Sequence, residues 1–366
     1  MDNQTISPRQ FMFLVIFFTI GSSILIVPGP VTEQAKQDSW MSILLSILIG
    51  VAIIILYNKI GELSAGKTFI EAFNDVFGNW VGRLFSSFYL VFVYILAALV
   101  LRNIGDFMTS QIMPATPLQF THILFFVVVL GGTFLGIEVI GRSSEIFMPW
   151  MILLLLFLFL FSSPQISMDN FKPILGDGVS PMLSASKVMI SSPILEMVAL
   201  LMIFPYVKEL KQTKKGWIIG SVIGGSVLLG ITSLCILVLG SDLTIMNTYP
   251  TYRIGEKISV AGFLEGLEIF IAIIWMMTIF FKLIVLYYAS TVGFAQFLSL
   301  DDYRPLVLPL GMGTIILSII SYPDVAYFES FVGEIWFSYA LSIGFILPLI
   351  LLAGLLIKKK IKQKGA

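Results

Sequence analysis

The chain is poor in most of what a soluble enzyme uses. Its 366 residues include one cysteine and one histidine, so neither an internal disulfide nor a His/Cys metal cage can form. Only 12% of the residues are charged and the formal net charge is zero, against roughly 25% charged in a soluble domain. A chain without a charged skin is not built to be covered by water. One without a basic excess has no electrostatic footprint for nucleic acid. It carries no Walker-type phosphate loop, which argues against ATP-driven work by this chain alone. His122 stands at the start of the fourth span, where a Ser-His-Asp or Cys-His arrangement has nothing nearby to assemble with. No catalytic residue, cofactor or metal follows from this composition. The opening MDNQTISPRQ lacks the basic n-region and small-residue cleavage site of a signal peptide, and the first apolar run is expected to be retained.

What is present is apolar sequence. Hydrophobic residues make up 57% of the chain and the mean hydropathy is +0.97. A membrane-spanning helix needs about 20 mostly apolar residues. Ten runs qualify, at 10–31, 40–60, 83–113, 119–137, 146–163, 184–206, 216–240, 262–290, 304–321 and 335–357. The fold expected is an all-α integral membrane protein forming one transmembrane domain over 1–366.

Basic residues set the orientation, because cytoplasmic loops retain Lys and Arg. With the N-terminus inside, fifteen of the 22 basic residues fall on the inner side and five on the outer, and Arg102 and Lys282 lie within spans. The even number of spans puts both termini in the cytoplasm. The tail at 358–366, KKKIKQKGA, is suited to anionic membrane lipid. Between the second and third spans, Phe69, Ile70, Phe73, Val76, Phe77 and Trp80 share one helical face, opposite Glu71, Asn74 and Asp75. Residues 67–80 are therefore expected to form an amphipathic helix, lying in the membrane interface or packed as a connector.

The informative places are those where a span breaks its own rules. The first span reads FFTIGSSILIVPGP. Gly21, Ser22 and Ser23 fall in mid-membrane and Pro28 follows, each weakening or restarting a helix. The sixth reads MISSPILEMVALLMIFPYV, with Ser191, Ser192 and Pro193 interrupting and Glu196 one turn on. If ten spans are two halves of five (about 10–163 and 184–357), spans one and six correspond. An odd number per half then makes the repeat inverted. Paired interruptions of this kind are the best sequence pointer to a transporter's central site.

Ionisable residues inside spans narrow the choice further. Lys282 lies deep in span eight, where a lipid-facing charge costs roughly 3 kcal/mol on insertion scales. It reads either as a snorkelling lysine or as an internal ammonium that replaces a coupling cation or contacts ligand. Glu196 is the acidic candidate for a proton or a ligand ammonium, with a structural bond to the broken backbone as the alternative. Arg102 and Asp106 stand four apart and can neutralise each other. Glu265 and Glu268 open span eight, as an outer gate or as solvated residues. Tyr94, Trp275 and Thr278 are packing residues by default.

These same stretches resemble a known family. The interrupted first span, ILEMVALLMIFPYV, the loop FKPILGDGVSPML, the stretch GFLEGLEIFIAIIWMMTIFFKLIVLYYA and the connector TFIEAFNDVFGNWVG are similar to the permease-like B subunits of bacterial spore germinant receptors. That family resembles amino acid–polyamine–organocation transporters, with a five-plus-five inverted repeat and a pocket between spans one, three, six and eight. The resemblance implies a nutrient sensor of the spore inner membrane. It would bind an amino acid, sugar or nucleoside and act with a membrane-anchored A subunit and a lipoprotein C subunit. Carried over by position, the ligand-binding residues would be Gly21, Ser22, Ser23, Ile24, Leu96, Asn103, Ser192, Ile194, Leu195, Glu196, Thr278, Phe281 and Lys282. Lys282 and Glu196 would be the cation-substituting or proton-linked pair. Gly266 departs from the basic residue expected there in many relatives, which puts an outer-end ion pair in doubt. A proton-coupled amino acid permease and an ion-conducting subunit are the rival classes.

Overall fold

A computed structural model describes residues 4–257 and 266–364. Glu265 and the start of the eighth run at 262 lie outside them. Among the described residues no strand forms, and nine helices are long and apolar enough to cross a membrane. A further helix, Arg304–Ile320, ninth in chain order ahead of Val325–Ile361 as the tenth span, has 17 residues, about 25 Å at 1.5 Å per residue. It crosses nonetheless. Next to its start, the Tyr303 hydroxyl donates to Thr133 O at 3.1 Å. At its other end, Arg102 Nη1 donates to Ile319 O at 2.9 Å.

Two faces are defined by cross-links between the helix ends. One carries the first and the last described segments, at Ile6 and Lys358, and is called the terminal face below. There Ile6 N donates to Tyr206 O at 3.0 Å and Lys208 N to Ile6 O at 3.1 Å. Arg9 pairs with Glu145 at 2.8 Å, Lys214 with Glu62 at 2.8 Å, and Lys67 and Lys358 both reach Asp75, at 2.8 and 2.9 Å. On the opposite, loop face, Lys36 pairs with Asp177 at 2.8 Å. Leu175 N donates to both carboxylate oxygens of Asp38 at 3.0 Å, which pins the loop after the fifth span across the top of the second.

The first and sixth spans sit at the centre, with 72% and 83% of their apolar windows buried, whereas the fourth and fifth have 28% and face lipid. The seventh span, Leu210–Leu239, packs closely on the first through glycines spaced four apart. A β-carbon at Gly216 would stand 3.2 Å from Pro8 O, and one at Gly220 would stand 2.9 Å from Met12 O. Small residues at such spacing let backbones approach where lipid supplies no hydrophobic drive.

Several boundaries differ from the sequence expectation. The fifth span starts at Ile137, not near 146, because Gly136 (φ +94°) turns the chain straight out of the fourth. The third helix begins at Phe69 behind a capping box of Thr68 and Glu71, and breaks at Gly78 with φ +76° and ψ 174°. The connector therefore ends before Trp80, which is 92% exposed and shares no buried face with Phe69, Ile70 and Phe73. Those three are buried under the bundle, with Phe69 4.7 Å from Tyr89 ring to ring. The segment is a packed connector.

Candidate functional site

The first helix, Pro8–Ile20, starts on a Ser7–Gln10 capping box and ends where Gly21 N donates to Phe17 O at 2.7 Å. Gly21 takes φ +24° and ψ −122°, a conformation that L side chains rarely adopt. Helix resumes at Ser23–Ile26 and again at Pro28–Ala35. In the sixth span, Val179–Met189 is helical and Ser192 is extended (φ −138°, ψ 110°), followed by a cis bond to Pro193. The chain then continues as a 3-10 helix over Leu195–Met202. Both interruptions read from the sequence are real, and they lie together at the centre of the molecule.

The eighth span, Glu268–Phe297, closes over them. Lys282 is fully buried, its Nζ 2.6 Å from Glu196 Oε2 and donating to Ser22 Oγ at 2.8 Å. The Phe18 ring centroid lies 5.5 Å from the ammonium. One turn earlier the Thr278 hydroxyl donates to Gly21 O at 3.1 Å. The span thus holds the break at the Gly21 carbonyl and the Ser22 hydroxyl. A buried cation is tolerable only when paired. Here a carboxylate, a hydroxyl and an aromatic face share it, close to the carbonyl end of the first half-helix, which favours positive charge.

In front of this pair lies a cavity of about 30 Å³, lined by Ser22, Leu96, Asn103, Ser192 and Glu196, with Phe328, Val332 and Trp336 from the tenth span across from them. That space suits one or two waters. It adjoins a larger vestibule of about 200 Å³, and Ile26, Pro30, Asn103, Val188, Phe328 and Val332 line both. The vestibule is built from loop-face residues, among them Glu33, Asn247, Tyr249 and Glu329. Towards the terminal face the way is filled. Phe11, Phe204 and Trp217 meet ring to ring at 5.5–6.2 Å, and Tyr57 donates to the carbonyls of Leu195 and Gly344.

The remaining carried-over positions lie elsewhere. Ile24 is buried and its carbonyl accepts from Thr251 Oγ1 at 2.7 Å, away from the cavity. Ser23 is buried, and its hydroxyl has no hydrogen-bond partner among the described residues. Ile194 packs on Gly50, and the Leu195 carbonyl accepts from Tyr57. Phe281 stacks on Phe17 at 4.4 Å and faces an apolar groove between the fourth, fifth and eighth spans. Arg102 and Asp106 pair at 2.8 Å, as the self-neutralising alternative expects. Tyr322 adds a hydroxyl bond to Asp106 at 2.7 Å and lies 3.3 Å from Asn103 Oδ1. His122, without a sequence neighbour to work with, meets Ser318 Oγ at 2.9 Å. The contributions of Tyr322, Phe328, Val332 and Trp336 had no local signal in the sequence, since each sits in an ordinary apolar or loop stretch.

Comparison with known proteins follows the same outline. The sequence profile of the spore germination protein family matches residues 5–328. Spore germination protein KB of Bacillus subtilis (strain 168) is 32% identical over 322 residues, which is 87% of this chain and 86% of that protein. Spore germination protein YndE of the same organism is 25% identical over 95% of each chain. Among solved structures, Mhp1, a nucleobase-cation-symport-1 family transporter with bromovinylhydantoin bound, superposes with a TM-score of 0.69 at 13% identity, covering 94% of this chain and 78% of Mhp1. MhsT in complex with L-phenylalanine gives 0.62 at 15% identity, covering 97% and 99%. At those identities the likeness is one of fold alone.

Proposed function

We propose, from the premise that this chain belongs to the spore germination protein family, that it is the nutrient-sensing membrane subunit of a germinant receptor. The ligand is a small nutrient, an amino acid in the first instance. It is held where the first and sixth spans break. The reading rests on one observation above all: the buried Lys282–Glu196 pair sits at the two interruptions, behind a small cavity that adjoins the loop-face vestibule. Pairs of broken helices leave amides and carbonyls free to meet the polar ends of a ligand. Ser22, Asn103 and Ser192 add hydrogen-bonding groups, and Leu96 and Trp336 an apolar wall.

At about 30 Å³ the cavity must widen to take a nutrient, so binding favours an arrangement in which spans one and six have shifted against the tenth. Ligand drives that shift only to the extent that it binds the two arrangements differently. The shift passes to A and C subunits at the spore inner membrane, with both termini of this chain on the core side. Lys282 stands in for a coupling cation, so binding needs no sodium.

The test is a thermal-shift screen of the purified chain against amino acids, then sugars and nucleosides, with and without sodium. A ligand-specific shift that persists in potassium or choline supports the reading. A shift that requires sodium overturns the cation-substitution role. The rival reading, proton-coupled uptake, is favoured by the transporter fold itself. Accumulation of labelled ligand in proteoliposomes would select it over sensing.

A further inference from the structure

The third helix changes direction at Gly78, where nothing lies within 4 Å of the position a β-carbon would take. Just past this elbow Trp80 projects almost entirely clear of the protein. A large indole is favoured at the boundary between hydrocarbon and water, where its ring is covered and its N–H stays wet. The elbow lies on the terminal face, beside the end of the eighth span at Phe297.

Arg83 follows Trp80 by one turn and is exposed. Its Nη2 makes one long contact, 3.4 Å to Ser299 Oγ. Five other basic groups of this face have carboxylates: Arg9 has Glu145, Arg142 has Glu138, Lys214 has Glu62, and Lys67 and Lys358 have Asp75. No carboxylate among the described residues pairs with Arg83. The guanidinium and Trp80, with Asn79, Leu84, Ser87 and Phe297, line an open cavity of about 480 Å³. From the cavity an apolar stripe runs down the third span into the hydrocarbon. Leu84, Phe88 and Val91, spaced four and three apart on one helical face, are all exposed.

We infer that this elbow is a seat for an anionic phospholipid, its phosphate on the Arg83 guanidinium and Asn79 amide and an acyl chain along Leu84, Phe88 and Val91. Charge complementarity selects the headgroup, because the planar fork of an arginine without a carboxylate matches phosphate oxygens in pairs. The stripe selects a lipid over a free anion, since inorganic phosphate makes no use of it. The tail lysines also attract anionic lipid, and a tail variant serves as the comparison.

The full-length chain in detergent, titrated with phosphatidylglycerol or phosphatidylcholine and followed by native mass spectrometry and melting, tests this. The wild type is expected to retain phosphatidylglycerol in preference to phosphatidylcholine and to melt higher with it. Arg83→Gln should weaken phosphatidylglycerol retention roughly fivefold, the effect of one cation at a headgroup, without changing phosphatidylcholine binding. Asn79→Leu, which leaves the charge, should weaken it less, in the same direction. Equal retention by the wild type and Arg83→Gln overturns the proposal. So does an equal melting shift from inorganic phosphate, or a loss confined to a Lys359→Gln, Lys360→Gln variant.

Discussion

Gly21 has no side chain at the point where the aliphatic stem of Lys282 crosses the first span. A β-carbon there would stand 2.5 Å from Lys282 Cδ and 3.1 Å from Lys282 Cβ. The break in the first span and the lysine of the eighth are therefore one feature. The glycine provides both the backbone conformation and the room, and the lysine fills that room with charge.

Gly21→Ala tests that dependence. The new methyl group must displace the lysine stem and adopt φ +24°, a combination expected to cost about 1–3 kcal/mol. A lower melting temperature in detergent and loss of any ligand-induced shift are the expected results. An alanine variant that melts and responds like the wild type would show that the close approach is dispensable.

The Lys282–Glu196 pair makes a second prediction. Replacing one partner leaves the other buried without compensation, at roughly 3–5 kcal/mol. Lys282→Met and Glu196→Gln should each be strongly destabilised, with Lys282→Met the worse because a carboxylate remains. The Lys282→Met, Glu196→Gln double variant should recover much of the melting temperature without recovering the ligand response. Additive losses in the double variant would mean that the two groups do not act as a pair.

Sodium provides a third. With an ammonium already between the eighth span and the first-span break, ligand affinity in the wild type should be the same in sodium, potassium and choline. Isothermal titration in the three salts measures it. A sodium requirement appearing only in Lys282→Ala would strengthen the assignment.

A fourth concerns the terminal face, where the chain ahead of the first span forms a parallel bridge at Ile6 and Val207 to the segment after the sixth. Cysteines at the exposed neighbours of this bridge, Thr5 and Lys208, joined by a short cross-linker, should leave nutrient binding from the loop face intact; Cys235 is buried and out of the cross-linker's reach. The same cross-link should abolish any uptake, which requires this face to part. Loss of binding in the cross-linked chain would mean that ligand enters from the terminal side.

The interruptions were legible because they are written in backbone chemistry. Gly21, Pro28 and Pro193 restrict or free φ and ψ wherever they stand, and Ser22 and Ser192 fall beside them. The spans were legible because lipid demands a continuous apolar run. Helical periodicity puts Trp80 on the face of Phe69 and Phe73, but φ turns positive at Gly78 and the phase is lost there. Asn103 was carried over from a family resemblance, while Tyr322 and Trp336, which complete its surroundings, had no local pattern to mark them.

By itself the sequence determined the ten apolar runs, the two broken ones and the presence of Lys282 and Glu196 inside the membrane. These depend on composition and on local backbone preference, which are properties of short segments. Only the tertiary structure decided that Lys282 meets Glu196 and Ser22 at 2.6 and 2.8 Å, that the tenth span closes the cavity, and that no carboxylate among the described residues pairs with Arg83. Those are relations between segments far apart in the chain. In an apolar span many helical phases are equally hydrophobic, so packing, and not hydropathy, selects which side chains face one another.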